Sequence, residues 1–212
     1  MTTTLDFEGF VRMLKGGIDI IKENHEYLSQ LDTVIGDGDH GVSMLRAMKK
    51  LEEIMAETDT SDLKAMLDAM SWALLGIDGG ATGPLYGMFF LGMAQAVGNK
   101  QELDNKDVAA MFASALASIQ QQTKAQVGDK TMLDALIPAV QAMQAAAEEG
   151  KSIEDLLARA AEVAKKGAES TKGFAARFGR AKNQGDRTIG HQDPGATSTA
   201  LLFKGFYNGL TE

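Results

Sequence analysis

Ile35-Gly36-Asp37-Gly38-Asp39-His40-Gly41 is the stretch on which the reading of this chain turns. Its glycines at 36, 38 and 41 satisfy the spacing G-x-G-x-x-G, which in a dinucleotide-binding α/β fold joins a buried strand to a helix. Here the preceding residues carry a helical pattern, and the turn would aim two carboxylates at pyrophosphate instead of bare backbone. The dinucleotide reading fails, and with it the reason to expect a parallel sheet. A calcium loop opening at Asp37 fails too, because its fifth, sixth and twelfth positions would be Gly41, Val42 and Met48.

A magnesium loop and a plain turn remain. Asp37 and Asp39, two apart in an extended segment, point their carboxylates the same way, and Gly38 keeps the backbone unhindered. Asp32 can return from the preceding turn. Three clustered carboxylates repel one another unless a divalent cation sits among them, and magnesium takes carboxylate oxygens, water and substrate phosphate. A helix starting at Gly41-Val42-Ser43 would offer free amides and its positive dipole end to the same phosphates. Alone, Asp-Gly-Asp is ordinarily a turn; Asp32, His40 and the helix start together favour the metal. His40 reads equally as a loop hydrogen-bonder or as a phosphate contact.

Outward from the loop, the 212 residues favour helix nearly throughout. Only 6% are aromatic and β-branched residues are sparse, while 44% are hydrophobic and 24% charged, ordinary values for a globular chain. Periodicity and breakers place helices near 5–29, 41–57, 60–77, 82–98, 104–123, 130–148, 152–175 and 195–210, with little or no sheet. Long helices with short loops predict an all-α, up-and-down bundle of eight antiparallel helices forming one domain over 1–212. Expected N-caps are Thr60-Ser61, Asp104, and Ser152 with Asp155 as a capping box. The charge run Lys49-Lys50-Leu51-Glu52-Glu53 reads as a solvated helix face.

The net charge of -8 gives no electrostatic reason to bind nucleic acid or an acidic membrane. With no cysteine, disulfides, thiolate metal sites and a cysteine nucleophile are excluded. The first residues lack a basic and apolar leader, and the most apolar run, Pro84 to Val97, is too short to span a bilayer, so a cytoplasmic protein is expected.

The breaks at 36–41, 79–84, 123–131 and 179–195 follow alternate helices, so in a bundle all four meet at one rim. In Asp78-Gly79-Gly80-Ala81-Thr82-Gly83-Pro84, small side chains permit backbone approach to a ligand or simply close helix packing. Gly128-Asp129-Lys130-Thr131-Met132 looks like a Walker A fragment but lacks the Gly-Lys pair and the strand. Lys130 and Thr131 could hold a nucleotide edge with Met132 against a base, or Asp129 could merely cap a helix. The long connection from Gly179 to Gly195 supplies Arg180 and Arg187 as phosphate-neutralising cations and places Pro194 in the first turn of the last helix.

Taken together, Leu31-Asp32, the 35–41 loop, Gly79 to Gly87, Gly128 to Met132 and Ile189-Gly190-His191-Gln192-Asp193-Pro194-Gly195-Ala196 resemble the nucleotide-binding L subunit of dihydroxyacetone kinase, in order and spacing along essentially the whole chain. The resemblance implies an eight-helix barrel with ADP and two Mg2+ at one end. It assigns Asp32, Asp37 and Asp39 to metal, and His40, Gly41, Val42, Ser43, Ala81, Thr82, Thr123, Met132, Arg180, Asp193, Pro194 and Gly195 to the nucleotide. It implies no catalytic residue of the chain's own. In the free-standing subunit ADP stays bound, a phosphohistidine protein of the phosphotransferase system recharges it to ATP, and the phosphate passes to dihydroxyacetone on a separate K subunit. Fused relatives use exchangeable ATP, and some relatives report to a transcription regulator. A chain ending at Glu212 without a K domain is expected to be phosphotransferase-dependent; an ATP-dependent kinase subunit for dihydroxyacetone or another short ketose is the alternative. Ala181-Lys182-Asn183 and Thr123 depart from the family pattern of Ala-Ser-Tyr and glycine.

Overall fold

The computed structural model describes residues 4–58, 61–77 and 80–212. Within them lie eight α-helices: α1 Phe7–Ile35, α2 His40–Glu57, α3 Leu63–Leu75, α4 Thr82–Val97, α5 Asn105–Gln120, α6 Leu133–Glu148, α7 Ile153–Ser170 and α8 Pro194–Thr211. Each packs against its successor and α8 returns onto α1, so the expected antiparallel bundle closes into a ring. Its interior is filled. Phe112 has ring centroids 5.4 Å from Phe203, 5.9 Å from Phe206 and 6.0 Å from Phe89, spacings at which aromatic edges and faces attract.

The seam that closes the ring depends on glycine. A Cβ on Gly16 would lie 2.2 Å from the Gly205 carbonyl oxygen, and one on Gly205 would lie 2.4 Å from the Gly16 carbonyl oxygen. The backbones of α1 and α8 therefore touch. Pro138 inside α6 cannot donate to the Asp134 carbonyl; Gly167 of α7 packs there, where a Cβ would meet that oxygen at 2.2 Å.

Local signals explain most boundaries. Asp104 and Ser152 cap α5 and α7 in full capping boxes with Asp107 and Asp155. In the charge run, Leu51 is buried while Lys50 pairs with Glu53 at 2.8 Å on the surface. Helix α3 begins later than expected. Its cap is Asp62, whose carboxylate accepts from the Ala65 N–H, and Thr60 lies outside the described residues. Helix α1 runs on to Ile35 instead of stopping near 29, because Leu28, Asp32 and Ile35 continue the buried face. The 179–195 connection holds 3-10 turns over Arg180–Thr188.

Loops alternate between two ends. At the far end a two-residue ladder, β1 Thr4–Leu5 with β2 Leu103–Asp104, pairs antiparallel with Leu5 opposite Leu103. Among the described residues no helix is long and apolar enough to cross a membrane.

Candidate functional site

All four rim loops line a single cavity of about 560 Å3, within the size range of sites for small molecules and cofactors. The convergence expected from connectivity is therefore present. Asp78 and Gly79 of the second loop lie outside the described residues.

The metal candidates come together. One carboxylate oxygen each from Asp32, Asp37 and Asp39 lies within 4.8 Å of the others. Asp32 sits in the last turn of α1, not in a turn beyond it, and is only 9% exposed. Its Oδ2 accepts from the His40 N–H at 3.1 Å, which orients the carboxylate toward the loop. Gly38 adopts φ 79°, a conformation costly for residues with a Cβ, so the two outer aspartates flank a turn only glycine makes easily. The Arg180 Nη1 donates to Asp39 Oδ2 at 2.8 Å and also contacts Asp37. Three carboxylates against one guanidinium leave net negative charge, and the donors are hard oxygens. This set suits a magnesium-sized cation better than a soft metal.

His40 opens α2 behind this cluster. Its Nε2 shares a hydrogen bond with Ser198 Oγ at 3.0 Å, and Ser198 in turn lies 3.4 Å from the Tyr86 hydroxyl. Burial lowers the His40 pKa to about 4, against the pull of the Asp32 charge and of a hydrogen bond with the Pro194 backbone. The ring is neutral at pH 7. Gly41 faces away from the cavity onto α1, where a Cβ would collide with the His25 carbonyl oxygen. Val42 points outward, 52% exposed, while Ser43 lines the cavity.

The glycine turn contributes Ala81 and Thr82, which line the cavity at the start of α4. Across the rim, Thr123 and Met132 line it from the loop before α6; Thr123 Oγ1 accepts from the Ala125 N–H at 3.2 Å. Asp193, Pro194 and Gly195 form the start of α8: Asp193 is its N-cap, accepting from the Ala196 N–H at 2.7 Å, and Pro194 is its first residue. The Asp193 carboxyl is buried, and burial, with the negative charges of Asp134 and Asp32, pushes its pKa up to about 7 despite the Ala196 hydrogen bond and the Lys130 charge.

Two expectations need correction. Lys130 does not extend a free ammonium along a nucleotide edge. It is 2% exposed, donates to the Thr171 carbonyl at 2.5 Å and also to the His191 carbonyl. Asp129 does not cap α6: its carboxylate accepts from the Gln126 N–H, while Asp134 accepts from the Gly128 and Thr131 N–H groups, each at 2.6 Å. Sequence reasoning also missed Tyr86 and Ser198, which tie α4 and α8 behind His40, although both stand inside or beside quoted motifs. Phe178, which lines the cavity beside Arg180, carried no signal in the sequence.

The DAK2 domain family matches residues 34–208. The chain is 39% identical over 186 residues to the ADP-binding subunit DhaL of the PEP-dependent dihydroxyacetone kinase of Escherichia coli K12, covering 88% of this chain and 89% of that subunit. It is 36% identical over 200 residues to the ADP-binding subunit DhaL of PEP-dependent dihydroxyacetone kinase 1 of Listeria innocua, covering 94% and 95%. The fold matches the crystal structure of the dihydroxyacetone kinase from C. freundii in complex with AMP-PNP and Mg2+, with TM-score 0.73 and 24% identity over 92% of this chain and 33% of that one. The chain belongs to the DAK2 domain family, alongside its DhaL subunits.

Proposed function

We propose that this chain is the ADP-carrying, phosphoryl-relaying subunit of a phosphoenolpyruvate-dependent dihydroxyacetone kinase, acting as one unit in the cytoplasm. The observation that carries this reading is the convergence of Asp32, Asp37 and Asp39 at the mouth of a nucleotide-sized cavity lined by all four rim loops. The names of its DhaL relatives, whose length the chain nearly spans, support the substrate and donor.

In this reading the three aspartates hold two magnesium ions, which when bound neutralise the phosphate oxygens of the nucleotide. Arg180, already between Asp37 and Asp39, adds a guanidinium beside the transferred group. Neutral His40, fixed by Ser198, adds no positive charge beside the carboxylates to repel a cation. Ala81, Thr82, Thr123, Met132, Pro194 and Gly195 hold the rest of the nucleotide. Asp193, as N-cap, sets the start of α8. A phosphohistidine protein of the phosphotransferase system gives up its phosphoryl group as the N–P bond breaks and a P–O bond to the ADP β-phosphate forms. That P–O bond would then break as the hydroxyl oxygen of dihydroxyacetone, held on a K subunit, takes the phosphoryl group and gives up its proton to water, leaving ADP. The partners must dock at the rim, and exposed Val34, Val42, Val127 and Ile189 on or beside the rim loops provide apolar contacts there. A transcription regulator as a further partner rests on the family resemblance alone.

Mass spectrometry of the nucleotide released from purified protein tests this directly. Wild type is expected to release ADP that exchanges slowly with free ATP, and Asp37→Ala to release none. An Asp37→Ala protein that retained ADP and full transfer would sink the reading. Transfer from free ATP, without phosphoenolpyruvate and the phosphotransfer proteins, would favour an ATP-dependent short-ketose kinase instead.

A further inference from the structure

Lys130 is the only non-glycine among the described residues with positive φ, at 61°. A lysine there carries a backbone cost, which persists only where the surroundings over-determine it. Its surroundings do so. The ammonium is inside the protein, bonded to the Thr171 carbonyl after α7 and the His191 carbonyl before α8. Around it, the Asp193 N–H donates to Thr171 Oγ1 at 2.9 Å, the Gly190 N–H to the Lys172 carbonyl at 2.7 Å and the Arg177 N–H to the Asp129 carbonyl at 3.1 Å. Three chain segments thus meet at one cation. Two of them carry cavity walls: Met132 follows Lys130 by two residues, and Pro194 and Gly195 follow His191 by three and four. The two walls are close, since a Cβ on Gly195 would sit 3.4 Å from the Met132 nitrogen.

The metal loop is held by other means. Asp32, His40, Ser198 and Arg180 fix it, and none of their bonds involves Lys130. The cavity therefore has a phosphate end, its carboxylates bonded to the His40 N–H and to Arg180, and an end of Met132, Pro194 and Gly195. The two meet at His40, which bonds the Pro194 backbone and, through Ser198, the Gly195 carbonyl, with Lys130 in neither bond.

Resting on the nucleotide reading above, we infer that Lys130 is a positioning residue for the nucleoside half of the ligand: its ammonium sets the spacing of the Met132 wall and the Pro194-Gly195 wall by clamping the loops that carry them. Burial lowers the Lys130 pKa, and the charges of Asp193 and Asp134 oppose that shift.

The test separates the two ends of the ligand. Binding of Mg·ADP and of Mg·pyrophosphate, which reaches the metal loop but has no nucleoside, is measured calorimetrically for the full chain and for Lys130→Met, with Tm recorded for each. Lys130→Met is expected to weaken ADP by about ten- to a hundred-fold, the cost of misplacing a binding wall by an ångström, while leaving pyrophosphate within about twofold. A variant that binds ADP like wild type, or that loses both ligands in equal proportion, overturns the inference. Should Lys130→Met not fold, Lys130→Gln, which retains an N–H donor, is read in the same way; failure of both to fold makes Lys130 a folding residue and overturns it as well. A wild-type protein that binds no ADP overturns the nucleotide reading itself, and the inference with it.

Discussion

Half-buried His40 and buried Asp193 at the rim give opposite pH dependences. His40 has its pKa lowered from 6.5 to about 4, so between those values the unfolded chain binds more protons and folding stability rises with pH. Asp193 has its pKa raised from 3.8 to about 7, so across that window the folded chain binds more protons and stability falls as pH rises. Between pH 4 and 6.5 the two slopes oppose, leaving little net change from this pair. Asp193→Asn preserves the N-cap oxygen but removes the falling slope. Denaturant unfolding of nucleotide-free protein from pH 4 to 7 is expected to show the variant gaining stability with pH where wild type stays flatter; superimposable profiles would refute the Asp193 shift. Legibility at this scale was uneven. Asp32, Asp37 and Asp39 announce themselves because like charges crowded into one short segment require a reason. Lys130 was misread, because nothing in the residues Gly128 to Met132 reveals a left-handed backbone that turns the side chain inward.

At the scale of elements, helix boundaries followed local chemistry wherever a cap was present. The Asp104–Asp107 box satisfies two N–H groups at the start of α5, and Asp104→Ala is expected to cost about 1 kcal/mol, read as a shift in the denaturant midpoint at unchanged slope. A change under a few tenths would mean that water replaces the cap without loss. Helix α1 outran its expected end near 29 because burial of Asp32 and Ile35 kept the helix going. The 3-10 turns of 180–188 have no such local code. Thr188 Oγ1 donates to the Gly185 carbonyl at 2.7 Å within the segment and accepts from the Ala176 N–H at 2.9 Å outside it, so a contact beyond the segment helps shape it.

For the molecule as a whole, ring closure by α1 and α8 was not readable from periodicity, which says that helices neighbour in sequence but not that the last meets the first. Gly16 and Gly205 hold the reason, since only side chains reduced to hydrogen allow that contact. The same seam places Gly209, near the end of α8, against Arg12 and Met13 in the second turn of α1, and none of the three lines the cavity. The order in which the helices are threaded is thus separable from the site they build. A circular permutant with its ends joined by a short linker and reopened at Gly150, in a far-end turn, is expected to fold and to retain ADP. The same joining with the opening at Gly190, where the chain is pinned to the Lys172 carbonyl, is expected to fold poorly or release it. Circular dichroism and nucleotide content of the two permutants would show whether the barrel needs its natural starting point or only its closure.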